Sequence, residues 1–147
     1  FFRLSIGCTR DGKEVLGNED CPYLQIRECP DDVEAEEQLQ TVEVDDMDAE
    51  VTALDTAGYV TNVRVGQENM SGEEFRKKYE LASSCFTLQR YNGKMRITTR
   101  GVGHGLGMSQ YSAHRMAKDG QTYDEILNYF FDGCEQKEVA EILQNTE

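Results

Sequence analysis

The sequence predicts an α+β fold, with antiparallel or mixed strands first and a cluster of two to three helices near the C-terminal end. Apolar–polar alternation is concentrated before residue 101, and apolar stripes at helical spacing are concentrated after it. The 147 residues are 38% apolar with only two prolines, which suits one domain with a real core. A doubly wound sheet is disfavoured because strands and helices do not alternate along the chain.

Strands are predicted where apolar and polar side chains alternate, because this period of two is typical of a strand with one buried face. In one such stretch Val63 and Val65 face one way, while Asn62 and Arg64 face the other. Asn92-Gly93 is the strongest hairpin signal in the chain. The predicted strands are residues 1–7, 23–26, 39–44, 57–66, 85–88 and 94–100.

Helices are predicted from capping sequences followed by apolar stripes. One helix begins at the capping box Ser71–Glu74, and a second follows the glycine-rich stretch described below and ends at Gly120. A third begins at the capping box Thr122–Glu125 and continues to Gly133. A last short helix is predicted over 139–143.

The charge of −13 argues against a nucleic-acid partner, and it is unevenly distributed. Residues 31–55 contain eleven Asp or Glu and no Lys or Arg, which we interpret as a solvated, mobile insertion. Residues 81–118 contain no Asp or Glu and six Lys or Arg, so their local field suits an anionic ligand. No window approaches the roughly 18 apolar residues of a membrane span.

The five cysteines are odd in number and include no C-x-x-C pair. Cys21 and Cys29 can form a bridge if the intervening segment turns. Together with Cys8 they can also supply zinc ligands, but no His lies among them. We favour buried or free thiols over a metal site, and we predict neither a metal nor a cofactor. The remaining cysteines are Cys85 and Cys134.

The stretch Gly101-Val102-Gly103-His104-Gly105-Leu106-Gly107-Met108-Ser109-Gln110 is the main candidate for a site. Four glycines at this density predict unusual backbone angles or a close approach by another group. The spacing does not fit the G-x-G-x-x-G pattern of dinucleotide-binding loops. The Gly-Lys-Ser/Thr end of a P-loop and the G-x-S-x-G pattern of a nucleophile elbow are also absent. A triad of Ser109, His104 and a distant carboxylate is disfavoured, since any Ser and His in a sequence can be paired in this way.

This motif and its surroundings resemble the C-terminal signature of the stage II sporulation protein D family, which is related to the amidase-enhancer protein of cell-wall turnover. The core is Gly101 to Tyr111. The weaker matches occur in the family's order, at 1–9, 22–24, 58–60, 71–76, 81–86 and 113–130. The resemblance covers about residues 1–133 as the C-terminal portion of such a domain, and leaves 134–147 as a helical tail.

The resemblance implies a lytic transglycosylase that cleaves peptidoglycan glycan strands without stem peptides during forespore engulfment. In that family one Glu acts as acid and then as base while a 1,6-anhydro ring closes, so a single carboxyl suffices. The implied location is the extracytoplasmic face of the membrane or the space between mother cell and forespore. The implied partners are glycan strands, a cell-wall amidase and other engulfment proteins.

The sequence departs from the family pattern in one respect that concerns catalysis. The family's catalytic Glu precedes an Ala-rich helix, and neither that stretch nor the Thr-His-Cys-Gln segment linked to zinc occurs here. We therefore expect no catalytic residue in this span, with the acid and any membrane anchor upstream. Ser112 and His114 are smaller departures.

The resemblance implies that His104, Ser109 and Gln110 bind sugar hydroxyl or N-acetyl groups. A structural hydrogen bond is the alternative for His104, and helix N-capping is the alternative for the other two. Gly103, Gly105 and Gly107 are expected to let the backbone approach the saccharide. Arg76 is expected to meet the lactyl carboxylate, or equally to pair with Glu73 or Glu80.

Three classes of function remain open. The first is a glycan-strand lyase of which this chain is an incomplete part. The second is a non-catalytic module that enhances a cell-wall amidase. The third is an anion- or cofactor-binding domain that uses the glycine-rich loop as a nest of N–H groups.

Overall fold

A computed structural model describes residues 1–17 and 24–131, and it confirms the predicted α+β class. Two three-stranded antiparallel sheets are combined with four α-helices in the described part, and two of these helices follow the last strand. No helix in this part of the chain is long and apolar enough to cross a membrane. Cys21, Gly133, Cys134 and the predicted helix 139–143 lie outside the described residues. The helix predicted to continue to Gly133 ends at Phe130.

The strands form two separate sheets. Their order is β1-β6-β5 in the first sheet and β2-β3-β4 in the second, with every pairing antiparallel. The strands are β1 (Leu39–Asp45), β2 (Ala49–Leu54), β3 (Val60–Val65), β4 (Glu68–Met70), β5 (Phe86–Tyr91) and β6 (Lys94–Arg100). Asn92 and Gly93 have φ of 53° and 75°, which confirms the predicted hairpin between β5 and β6.

The helices are capped much as the sequence predicts. They are α1 (Gly12–Leu16), α2 (Gly72–Tyr79), α3 (Gln110–Lys118) and α4 (Tyr123–Phe130). Ser71 caps α2 by accepting from the Glu74 N–H, and Thr122 and Glu125 form a complete capping box on α4. Gly120 follows the end of α3 with φ of +92°.

The buried side chains form two clusters. The larger one lies where the two sheets meet α2, and its centre is the stacked pair Phe75 and Phe86, with ring centroids 4.9 Å apart. The smaller cluster packs α4 against Cys29 through Ile126, Leu127 and Phe130. The glycine-rich loop runs from β6 to α3 and thus connects the sheet region to the helical region.

Residues 1–7 do not form the regular strand that the alternation predicts. Phe2 and Leu4 make only isolated bridges, to Ser109 and Val102 of the glycine-rich stretch. A loop with repeated positive φ angles does not present an evenly spaced row of donors and acceptors, so a ladder cannot propagate along it. The N-terminal segment is therefore joined to the loop instead of to a sheet.

Regular elements occupy much of residues 31–55, the segment interpreted above as a solvated, mobile insertion, although most of its side chains are exposed or half-buried. The segment contains two 3₁₀ turns (Pro30–Glu34 and Glu36–Gln38) as well as β1 and β2. Asp32 is 0% exposed and Asp55 is 8% exposed. These two carboxylates can be buried because backbone, hydroxyl and guanidinium donors surround them, as described below.

Residues 81–118 contain no Asp or Glu, and the sequence predicts that their local field suits an anionic ligand. In the structure, some of their arginines are already paired with carboxylates. Arg96 pairs with Glu43 at 3.2 Å, and Arg90 pairs with Asp46 at 3.0 Å. Both carboxylates come from the acidic segment, because β1 lies directly beside β6. Part of the positive charge of this block is thus neutralised within the fold.

Candidate functional site

All four glycines of the loop have the unusual backbone angles that their density predicts. Their φ values are +74°, +106°, +80° and +86° at Gly101, Gly103, Gly105 and Gly107. A Cβ at Gly105 would lie 2.6 Å from the Tyr59 hydroxyl, and a Cβ at Gly103 would lie 2.8 Å from the Phe2 Cβ. The close approach at these two glycines is therefore to the protein's own side chains, whereas the family resemblance implied a saccharide.

A buried ion pair holds the middle of the loop. Arg10 Nε donates to Asp55 Oδ2 at 2.6 Å, and the two side chains are 7% and 2% exposed. Arg10 Nη1 also donates to the His104 carbonyl at 3.1 Å, and the guanidinium lies 4.4 Å from the centroid of the Tyr59 ring. Asp55 Oδ1 accepts from the N–H groups of Gly58 and Tyr59. Asp55 thus fixes the loop through Arg10.

A second buried carboxylate holds the exit of the loop. Asp32 accepts from Ser109 Oγ at 2.5 Å, from Ser112 Oγ at 2.7 Å and from the Ser5 N–H at 2.8 Å. Ser109 is 0% exposed, and its Oγ also accepts from the Ser112 N–H as the N-cap of α3. The N-capping alternative for Ser109 is confirmed, and its hydroxyl is enclosed away from solvent.

His104 is half-buried at the centre of the loop. Its Nδ1 accepts from the Leu106 N–H at 3.0 Å, which assigns the proton of the neutral ring to Nε2. Burial lowers the pKa of His104, while a hydrogen bond with the Phe1 backbone opposes the shift. The ring also lies 5.7 Å from that of Phe2, so His104 presents a fixed, neutral imidazole.

Arg76 is engaged with its own neighbourhood. Its Nη1 pairs with Glu73 at 2.9 Å, which is one of the two predicted alternatives, and its Nε donates to the Leu81 carbonyl at 3.2 Å. Its Nη2 donates to the Ala82 carbonyl, which also accepts from the Gly103 N–H. Arg76 therefore links α2 to the loop.

Gln110 is the most accessible of the nominated side chains. It is exposed at the first position of α3, where its backbone N–H donates to the Phe2 carbonyl. Its side-chain amide has no hydrogen bond to any other described residue, so both its donor and its acceptor face solvent. His104 and Gln110 reach the surface, whereas Ser109, Gly105 and Gly107 are buried.

The residues that shape the loop from below were not nominated from the sequence. They are Arg10, Asp32, Asp55 and Tyr59. A turn signal was available for one of them, because Asp55 and Gly58 are spaced as in an Asx-type turn. Asp32 had no distinguishing signal among its acidic neighbours. Within residues 1–17 and 24–131, no cluster of His, Cys, Asp or Glu is arranged to hold a metal ion.

Comparison with known proteins agrees with the motif. The chain is 30% identical over 158 aligned positions to stage II sporulation protein D of Bacillus subtilis (strain 168), covering 97% of this chain and 46% of that protein. Identity and coverage are the same for the Bacillus amyloliquefaciens protein of that name. The amidase enhancer of B. subtilis is 39% identical over 51 residues, or 35% of this chain and 7% of that protein.

No family model matches the chain. The chain spans about half the length of the stage II sporulation D proteins it matches, but nearly all of its own residues align with them. The glycine-rich motif, its order relative to the upstream matches and this coverage agree with one another. The chain belongs to the stage II sporulation protein D family.

Proposed function

We propose that this chain forms one wall of a glycan-binding groove in a peptidoglycan-remodelling protein of sporulation. The observation that carries the proposal is its alignment, over 97% of its length, with stage II sporulation protein D. The proposed substrate is the MurNAc-GlcNAc strand without stem peptides. The proposed location is outside the cytoplasmic membrane or between mother cell and forespore.

The geometry of the loop supports binding of a neutral sugar face. His104 offers a neutral ring, and Gln110 offers an amide without a hydrogen bond to another described residue; such groups complement hydroxyl and N-acetyl groups. The loop beneath them is held by two buried carboxylates, so little ordering is required when a ligand binds. The proposed contacts do not include Ser109, because its hydroxyl is enclosed.

The finer proposal is lytic transglycosylase activity, in which one carboxyl protonates the leaving oxygen and then takes the proton of the 6-hydroxyl that closes the ring. The family motif that contains this acid does not occur in the sequence. In this proposal the groups described here orient the glycan and do not supply the acid.

Binding of denuded glycan strands tests the proposal. Gln110→Ala should weaken binding by about fivefold and His104→Ala by about tenfold, since each removes hydrogen bonds to the ligand. Gln89→Ala is the matched control, because Gln89 is an exposed glutamine on β5, away from the loop. If both loop variants bind the strands as tightly as the control, the glycan-binding proposal is wrong. In the full-length protein, His104→Ala should also slow cleavage of the strands.

The alternative is a non-catalytic module that enhances a cell-wall amidase, and the local match to the amidase enhancer favours it. In this case adding the protein should raise the rate of a purified cell-wall amidase, and Gln110→Ala should leave that effect unchanged. An unchanged amidase rate at micromolar concentrations of the protein would rule the alternative out.

A further inference from the structure

The outward face of α3 continues from the proposed glycan-binding side chains. Gln110, His114 and Lys118 are spaced four residues apart and are all exposed. Residues at this spacing form one stripe along a helix, so the three positions extend over about 12 Å. The Gln110 N–H donates to the Phe2 carbonyl at 2.9 Å, and the centroid of the Phe2 ring lies 5.7 Å from that of His104. The stripe therefore begins beside His104 and leads away from the loop.

The opposite face of α3 is the one that packs on the rest of the protein. Ser112 Oγ donates to Asp32 at 2.7 Å, and Ala113 and Met116 pack against the cluster that contains α4. Successive residues turn by about 100° around a helix axis, so Met116 lies nearly opposite His114. The stripe is thus directed to solvent and leaves room for a ligand along the helix.

The helix carries basic side chains and no carboxylate of its own. Arg115 and Lys118 lie in its last turn, and no Asp or Glu occurs from Gln110 to Lys118. Neither cation forms an ion pair with any described residue, whereas Arg90 and Arg96 of β5 and β6 are both paired. α3 therefore offers positive charge to an anionic group that lies along its outward face.

Few acids lie near this face of the helix. Asp119 follows Lys118 directly, but it is about 100° further around the helix and so off the stripe. In α4, Glu125 accepts from a backbone N–H of its own capping box, and Asp124 also has an interaction of its own. None of the three forms an ion pair with Lys118 in the described part of the chain, so its ammonium group remains available to a ligand.

We propose that the outward face of α3 extends the glycan site and recognises the free lactyl carboxylate of MurNAc, with Lys118 as the pairing cation. This inference rests on the proposed function, since it names the part of the same glycan that α3 contacts. Each MurNAc without a stem peptide has a free lactyl carboxylate, and a MurNAc with one has an amide in its place. Arg76, the cation expected to meet this carboxylate, is already paired with Glu73. A strand bound at Gln110 that follows the stripe brings a carboxylate to Lys118, whose N–H groups can donate to it.

Two forms of one glycan preparation test the inference. The first is the strand without stem peptides, and the second is the same strand after carbodiimide coupling to methylamine, which converts each lactyl carboxylate to a neutral amide. Fluorescence anisotropy of labelled strands gives the affinity of each form for the protein and for Lys118→Gln. Lys94→Gln is the matched control, because Lys94 is an exposed lysine without an ion pair in the described part, at the end of β6 away from the loop.

The protein and Lys94→Gln should bind the carboxylate form about fivefold more tightly than the amide form. Lys118→Gln should bind the two forms equally, and raising the ionic strength should shrink the preference of the unsubstituted protein. A cation near a helix C-terminus also stabilises the helix. Loss of that effect would weaken both forms alike and leave their ratio unchanged, so the ratio reports recognition of the carboxylate.

The inference is overturned if Lys118→Gln keeps the preference. It is also overturned if the protein binds both forms equally tightly, and in that case binding that still depends on Gln110 would leave the proposed glycan site standing. If neither form binds at millimolar concentration, the proposed function fails together with the inference. Lys118-dependent binding to vesicles of anionic phospholipid, without a preference between the two glycan forms, would overturn it in favour of a membrane surface.

Discussion

At Gly105 the chain passes between Tyr59 and Arg10 without room for a methyl group. A Cβ there would lie 2.6 Å from the phenol and 2.8 Å from the Arg10 Cδ, and φ is +80°. The Tyr59 hydroxyl is buried without a hydrogen-bond partner in the described part of the chain. Burial also raises the pKa of Tyr59, so the group beneath the loop is a neutral phenol.

Gly105→Ala should lower the free energy of unfolding by about 3 kcal/mol or more, from backbone strain plus steric overlap. Gly120→Ala is the matched control, because Gly120 also has positive φ, at +92°, but no atom within 4 Å of the added Cβ. It should cost only about 1–2 kcal/mol of strain. Urea denaturation of both variants gives the comparison, and equal losses would mean that packing under Gly105 contributes nothing.

The residue scale also shows where sequence reasoning reached its limit. The spacing of the glycines predicted their backbone angles, because few other residues tolerate positive φ. It could not predict that Tyr59 and Phe2, both distant in sequence, would be the groups that approach them. The burial of Ser109 was equally hidden, since a serine before a helix can cap it from an open or an enclosed position.

Among the elements, α4 follows the sequence most closely. Thr122 and Glu125 form the predicted capping box, and Ile126, Leu127 and Phe130 are buried along one stripe. Local signals sufficed because both cap and stripe lie within one short segment. β2 was missed, since its alternation is short and acidic residues surround it. The extended residues 1–7 were taken for a strand because alternation does not specify the pairing partner.

Thr122→Ala should lower the free energy of unfolding by about 1 kcal/mol, because it leaves the Glu125 N–H without its acceptor. Gln121→Ala, one residue before the cap at an exposed position, should change it by less than about 0.5 kcal/mol. Thermal and urea unfolding measure both variants. Equal stability of the two would show that the capping box does not anchor α4.

In the whole molecule, two carboxylates of the acidic segment organise the glycine-rich loop from beneath. Asp55 acts on the His104 carbonyl through Arg10, and Asp32 holds both serines at the start of α3. The sequence could not distinguish these two acids from the solvated ones around them, because burial is set by long-range packing. The family resemblance identified the loop, but the groups that support it required the structure.

The stability of Asp32→Asn tests this central claim most directly. The substitution replaces one acceptor oxygen with a donor facing groups that already donate, and we predict a loss of about 3 kcal/mol in the free energy of unfolding. Asp45→Asn, at an exposed position of β1 in the same acidic segment, is the control and should cost less than about 0.5 kcal/mol. In the Asp32→Asn variant, the backbone amides of residues 101–110 should lose more protection from hydrogen exchange than the backbone amides of β5. Stability within 0.5 kcal/mol of the control, with loop protection unchanged, would contradict the account.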